Sequence, residues 1–123
     1  MKGLYTEVHD EVEIVIIDYS MVSHENQFEL MKLSLDYIKE YEPSSALVLE
    51  IITKVKLKEE ILEYFPTYFE SIKGHVSKWA SVGFGKLIFK EMVAAKRIDA
   101  SAINSKRIDW FESREEAMQF LMS

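Results

Sequence analysis

The sequence has no cysteine, only two prolines and four glycines, and fewer basic than acidic side chains. Each shortage removes a class of protein. Without cysteine there are no disulfides, thiolate zinc sites, iron–sulfur ligation or cysteine nucleophile. With 15 Lys and Arg against 21 Asp and Glu, a formal charge of −6, the clustered positive field that neutralises phosphates is missing. No nucleic-acid partner is therefore expected. No window approaches the ~20 uninterrupted apolar residues of a membrane span. The start Met1-Lys2-Gly3-Leu4-Tyr5-Thr6-Glu7 also lacks a signal-peptide apolar core. The expectation is a soluble, cytoplasmic protein without integral membrane association. What the chain does have is apolar residues, 48% of 123. That is enough to bury a core without disulfides or a structural metal, so residues 1–123 are expected to form one domain.

Hydrophobic patterning predicts alternating strands and helices. Val12-Glu13-Ile14-Val15-Ile16-Ile17-Asp18 is β-branched, too short for a typical helix and too apolar for a half-wet strand, which predicts a buried strand. Residues 4–9 precede it as an edge strand, with Asp10-Glu11 at the turn in place of the Asn-Gly or Asp-Gly pair that hairpins prefer. Ser23 is a candidate N-cap for a helix in which Phe28, Met31, Leu35 and Ile38 recur at spacings of three and four, with Leu30, Leu33 and Tyr37 widening the stripe. Pro43 ends it. Ala46-Leu47-Val48-Leu49-Glu50-Ile51-Ile52 is a second buried strand, and two such strands around one helix make a parallel βαβ unit, almost always right-handed. A second helix is predicted over 57–72, where Pro66 either kinks it or begins a new turn. A third strand follows over 76–82, then a helix with Phe84, Leu87, Ile88, Met92 and Ala95 on one face. Residues 98–105 are weakly patterned, and helix, loop or both stay open. Arg107-Ile108-Asp109-Trp110-Phe111 is a last strand, after which Ser113 and Glu116 form a capping box for a short helix carrying Ala117, Phe120 and Leu121. The expected fold class is α/β: a mostly parallel sheet of four to five strands with about four helices.

In order and spacing these pieces resemble the STAS fold, in particular the SpoIIAA-like group of small bacterial proteins related to both STAS and CRAL-TRIO domains. The resemblance rests on Val15-Ile16-Ile17-Asp18, Leu47-Val48-Leu49-Glu50, Ala80-Ser81-Val82-Gly83-Phe84-Gly85, and the close Phe111-Glu112-Ser113-Arg114-Glu115-Glu116-Ala117-Met118-Gln119-Phe120-Leu121. It covers nearly the whole chain and implies a single STAS-like domain. It further implies a non-enzymatic regulatory or protein-interaction module, or else a small-ligand (lipid or nucleotide) binder related to CRAL-TRIO domains. In anti-sigma-factor antagonists of the family, a serine at a helix start is phosphorylated. Here the matching stretch is Ile52-Thr53-Lys54-Val55-Lys56, which leaves Thr53 as the hydroxyl at that place.

Residue chemistry offers one candidate site. Glu50 is an acid inside an apolar strand, where burial would raise its pKa. Asp18 ends the first buried strand in the same way. Gly83-Phe84-Gly85-Lys86 leaves a strand and opens a helix, where free N–H groups can hold an anion, although the P-loop Ser/Thr after the lysine is missing. Ligands of open α/β sheets bind beyond the carboxyl ends of the strands, so Asp18, Glu50, Thr53, Gly83, Gly85 and Lys86 are the expected ligand-binding residues. His9, His24 and His75 lack metal spacing, and no serine comes with a nucleophile elbow. No catalytic residue, metal or cofactor is expected. Tyr64, Phe65, Tyr68 and Phe69 exceed what one helix face needs, which makes them a candidate surface for a protein partner or for self-association as a homodimer.

Overall fold

In a computed structural model describing residues 2–83, 85–98 and 107–123, the chain forms a five-stranded sheet. The strands are β1 (Leu4–His9), β2 (Val12–Asp18), β3 (Ala46–Ile51), β4 (Val76–Val82) and β5 (Ile108–Phe111). Their spatial order is their chain order; β1 is antiparallel to β2, and β2 to β5 are parallel. Four α-helices are described: α1 (Gln27–Lys39), α2 (Glu59–Ile72), α3 (Gly85–Ala94) and α4 (Arg114–Met122). The fold is therefore α/β with one mostly parallel sheet.

Sequential parallel strands joined by crossovers of one hand place their connecting helices on a single face. α1 and α2 accordingly pack over Val15, Ile17, Val48 and Trp79 with Leu30, Met31, Ile38, Ile61 and Tyr68, while α3 adds Phe89 and Met92 beside Phe69. α4 covers the other face, setting Ala117 and Leu121 against Ile14, Ile16, Leu49, Ala80 and Val82. With helices on both faces, the side chains of residues 14–17 are all fully buried, which explains why β2 reads as a continuous apolar run.

Several local predictions need adjustment. The turn residues Asp10 and Glu11 both take positive φ, 50° and 68°, the mirror-image geometry that matches strand twist but suits glycine better. Replacing Glu11→Gly is expected to raise stability by about 1 kcal/mol by removing left-handed strain. An increased urea midpoint with an unchanged slope would show it, and an unchanged or lower midpoint would refute it. Ser23 stands at the N-cap position of a short 3-10 turn, His24–Asn26, without a side-chain capping hydrogen bond, and α1 begins at Gln27. Its inner face is Gln27, Leu30, Met31, Ser34 and Ile38, whereas Leu33 and Tyr37 are exposed. Pro66 lies inside an unbroken α2. A proline lacks the N–H that would bond to the Leu62 carbonyl four residues back; one residue further on, Arg97 donates to the Glu63 carbonyl at 2.8 Å. In α3 the buried stripe is Phe89 and Met92, while Leu87 is exposed, and Ala95, also exposed, follows the end of the helix; Phe84 lies outside the described residues. Of the weakly patterned stretch, Ile98 is buried and 99–105 lie outside the described residues. Ser113 caps α4 by accepting from the Glu116 amide at 3.2 Å and donating to its carboxylate at 3.1 Å.

Candidate functional site

β3 and β4 each carry one polar side chain toward the face covered by α1, α2 and α3. The register pairs Ile17 with Glu50, Glu50 with Ser81, and Ser81 with Trp110. Paired residues of adjacent strands point to the same side, so these four make one row across the sheet near its carboxyl end. Glu50 and Ser81 are both buried, and the Ser81 hydroxyl donates to Glu50 Oε1 at 3.1 Å. Burial pushes the Glu50 carboxyl up to about 7, against a smaller downward pull from the Ser81 hydrogen bond. Loss of water penalises the ionised form, and one neutral hydroxyl offsets only part of that penalty.

The row borders a cavity of about 30 Å³ between the sheet and the helices, room for one or two water-sized groups. From the sheet it is lined by Glu50, Trp79, Ile108 and Trp110; Ile61, Leu62, Phe65 and Phe69 of α2 and Ile88 and Phe89 of α3 form the opposite wall. Tyr19, Ile52 and Leu57 complete it. Among the described residues Glu50 is the only ionisable carboxyl in this lining, and no Lys or Arg belongs to it. The half-buried side chains of the lining are Leu57, Leu62, Phe65, Ile88, Ile108 and Trp110. Tyr19, itself buried, has its hydroxyl pKa raised well above the ordinary value, chiefly by desolvation, with Tyr68 and Glu50 adding to the effect. Tyr68 is raised too, again mainly by burial, while its hydroxyl meets the buried Ser34 hydroxyl at 2.8 Å.

Of the six residues expected to bind a ligand, Glu50 alone lines this cavity. Asp18 pairs with Ile51, one step out of phase with Glu50, so the two carboxylates face opposite sides of the sheet. Asp18 is instead occupied by the chain that follows, accepting from the Ser20 amide at 2.9 Å and the Ser20 hydroxyl at 2.5 Å. Thr53 is half-buried, with its hydroxyl 3.5 Å from the Val82 carbonyl. α2 starts only at Glu59, so Thr53 is not at a helix start. Gly83 has φ +121° and lies against the backbone of Ile52 and Thr53, where a Cβ would meet the Ile52 carbonyl carbon at 2.9 Å. Gly85 is the first residue of α3, and Lys86 is exposed on it.

The four aromatics of α2 are engaged inside the fold. Tyr68 and Phe69 are buried, and Tyr64 and Phe65 are half-buried. Phe65 and Phe69 meet Phe89 edge-on at 6.0 and 5.4 Å, and Tyr64 meets Phe28 at 5.5 Å. The surplus rings that sequence counting offers as an outer surface are thus taken up by α1 and α3. Two of the three histidines have structural neighbours: His75 Nδ1 is 2.8 Å from the Tyr41 carbonyl, and His9 Nε2 is 2.9 Å from Glu7. Sequence reading passes over Gln27, whose amide accepts from the Lys58 N–H and donates to the Lys56 carbonyl, both at 2.9 Å, pinning the loop that leads into α2. A glutamine at the start of an amphipathic stripe, where a leucine would fit, is the one signal for it.

Among the described residues, no group of three or more His, Asp or Glu is placed to hold a metal ion, and no helix is long and apolar enough to cross a membrane. No family model, curated protein or solved structure matches this chain.

Proposed function

We propose that the chain is a non-enzymatic regulatory module of STAS-like, SpoIIAA-like fold that acts by holding a small, mainly apolar ligand beneath α2 and α3. The family reading is supported by the order of elements, in which an antiparallel β1 leads into four sequential parallel strands with α1 to α3 on one face and α4 on the other. The ligand reading is carried by one observation: a carboxyl with a raised pKa at the edge of a cavity otherwise lined by aromatic and aliphatic side chains. Mostly apolar pockets with few polar groups, near the carboxyl ends of parallel strands, are where small molecules bind in such sheets. Against a surface for a protein partner or a second copy stands the engagement of Tyr64, Phe65, Tyr68 and Phe69 within the domain.

Native mass spectrometry of the purified protein tests the reading. A small-molecule adduct is expected on the natural chain and is expected to be lost in Leu62→Trp, which puts a larger side chain in the lining of the cavity. A bare mass, accompanied by a stoichiometric protein partner in pull-down, would overturn the proposal in favour of an interaction module.

A further inference from the structure

Among the described residues the Glu50 pocket has an acid and no base. Its lining there holds six aromatic residues and one carboxyl, with no lysine, arginine or histidine to balance the charge. Among the described residues Ser81 is the only hydrogen-bond partner of Glu50, and it reaches only Oε1. No fully buried side-chain oxygen or nitrogen among them is left without a partner, so Oε2 keeps some accessible surface, and the side chain that bears it lines the cavity. The neighbours that sense the carboxyl electrostatically, Tyr19 and Tyr68, are neutral hydroxyls. An anionic ligand would meet a like charge here, and a neutral apolar one would seal an ionised carboxylate away from water without a partner, a costly arrangement. A cation meets the opposite preference twice, from the carboxylate and from the negative faces of aromatic rings.

Resting on the ligand reading above, we propose that the pocket recognises a small organic ammonium group, with Glu50 as its counter-ion and Tyr19, Trp79, Phe89 and Trp110 as its aromatic surround. The cavity volume of about 30 Å³ limits the buried part to the ammonium head and an adjoining carbon or two. The rest of the ligand passes outward between half-buried lining side chains, among them Leu62, Phe65 and Ile88. Glu50 positions the head through charge, while Ser81 keeps the carboxyl from turning by holding Oε1.

The protein carries two tryptophans, Trp79 and Trp110, and both line the pocket, so their indole N–H resonances report on it directly. Three probes of matched length, butylammonium, 1-butanol and butyrate, are titrated at pH 8 into the natural chain and Glu50→Gln. Butylammonium is expected to shift both indole signals saturably, with 1-butanol binding about tenfold or more weakly and butyrate weaker still. In Glu50→Gln the preference is expected to vanish, butylammonium falling to the level of 1-butanol. Equal binding of butylammonium and 1-butanol to the natural chain, or a preference that survives in Glu50→Gln, would overturn the ammonium assignment while leaving the pocket as a binding site. Unmoved indole signals with all three probes would overturn the pocket as well.

Discussion

Glu50→Gln is expected to stabilise the protein at pH 8 and to leave its stability nearly unchanged near pH 4.5. The native carboxyl titrates at about 7, against an ordinary value of 4.5, because burial disfavours its charged form. Below pH 4.5 both native and unfolded chains carry the proton, and the group contributes no pH dependence. Between 4.5 and 7 the unfolded chain ionises first, so the native state binds more protons and stability falls as pH rises, by about 1.4 kcal/mol per pH unit. Above 7 both states are ionised and the loss levels off at about 3 kcal/mol. Glutamine keeps the shape and carries no charge, so the difference between variant and natural chain should grow from near zero to about 3 kcal/mol across this window. Thermal or urea unfolding of both proteins at a series of pH values reads the difference directly, since every other titrating group cancels. A difference that stays constant from pH 4.5 to 8 would contradict the account. A fold that would be more stable at neutral pH without its buried acid is easier to understand if the acid serves binding.

Gly83→Ala is expected to cost about 3 kcal/mol, for reasons unconnected with any ligand. Its φ of +121° disfavours any side chain, and the added Cβ would sit 2.9 Å from the Ile52 carbonyl carbon and 3.0 Å from the Thr53 nitrogen. Neither atom can yield easily. Both belong to backbone just beyond β3, where the Ile52 amide donates to the Val82 carbonyl at 2.9 Å, so relief of the clash strains the junction of two central strands. The midpoint of thermal unfolding should fall by about 10 °C for a chain of this size. Gly74→Ala is the matched control, because a Cβ there meets nothing within 4 Å, and it should stay within about 0.5 kcal/mol of the natural protein. Equal behaviour of the two variants would refute the close-approach explanation and return Gly83 to the list of candidate ligand contacts.

β2 and β3 were legible because each is buried on both faces, which leaves an apolar run that no exposed element would carry; β4, with Ser77, Lys78 and Ser81, carries a weaker one. Helix faces were less so. In α1 the counted stripe admitted Leu33 and Tyr37, both exposed, and passed over Ser34, whose partners are the Met31 carbonyl and Tyr68. A serine facing the core is intelligible only when the hydroxyl 34 residues away is seen. The candidate site shows the same boundary. Glu50 stood out in the sequence because an acid within an apolar strand is conspicuous, and Asp18 stood out for the same reason. What separates them is strand register, which sets Glu50 beside Ile17 and Ser81 while Asp18 pairs with Ile51. A slip of one residue would exchange their faces, and nothing local in either strand fixes that choice. The aromatic side of the pocket was hidden for a different reason: it is assembled from α2, α3, β4, β5 and the turn at Tyr19, none of which announces the others.

The most direct measurement of the central claim is a pH titration of the Glu50 side-chain carboxyl carbon by carbon-13 NMR, assigned by its disappearance in Glu50→Gln. A midpoint near 7, moving downward when butylammonium is added, is the predicted result. A midpoint near 4.5 that butylammonium leaves in place would contradict the account of Glu50 as a desolvated acid awaiting a cation.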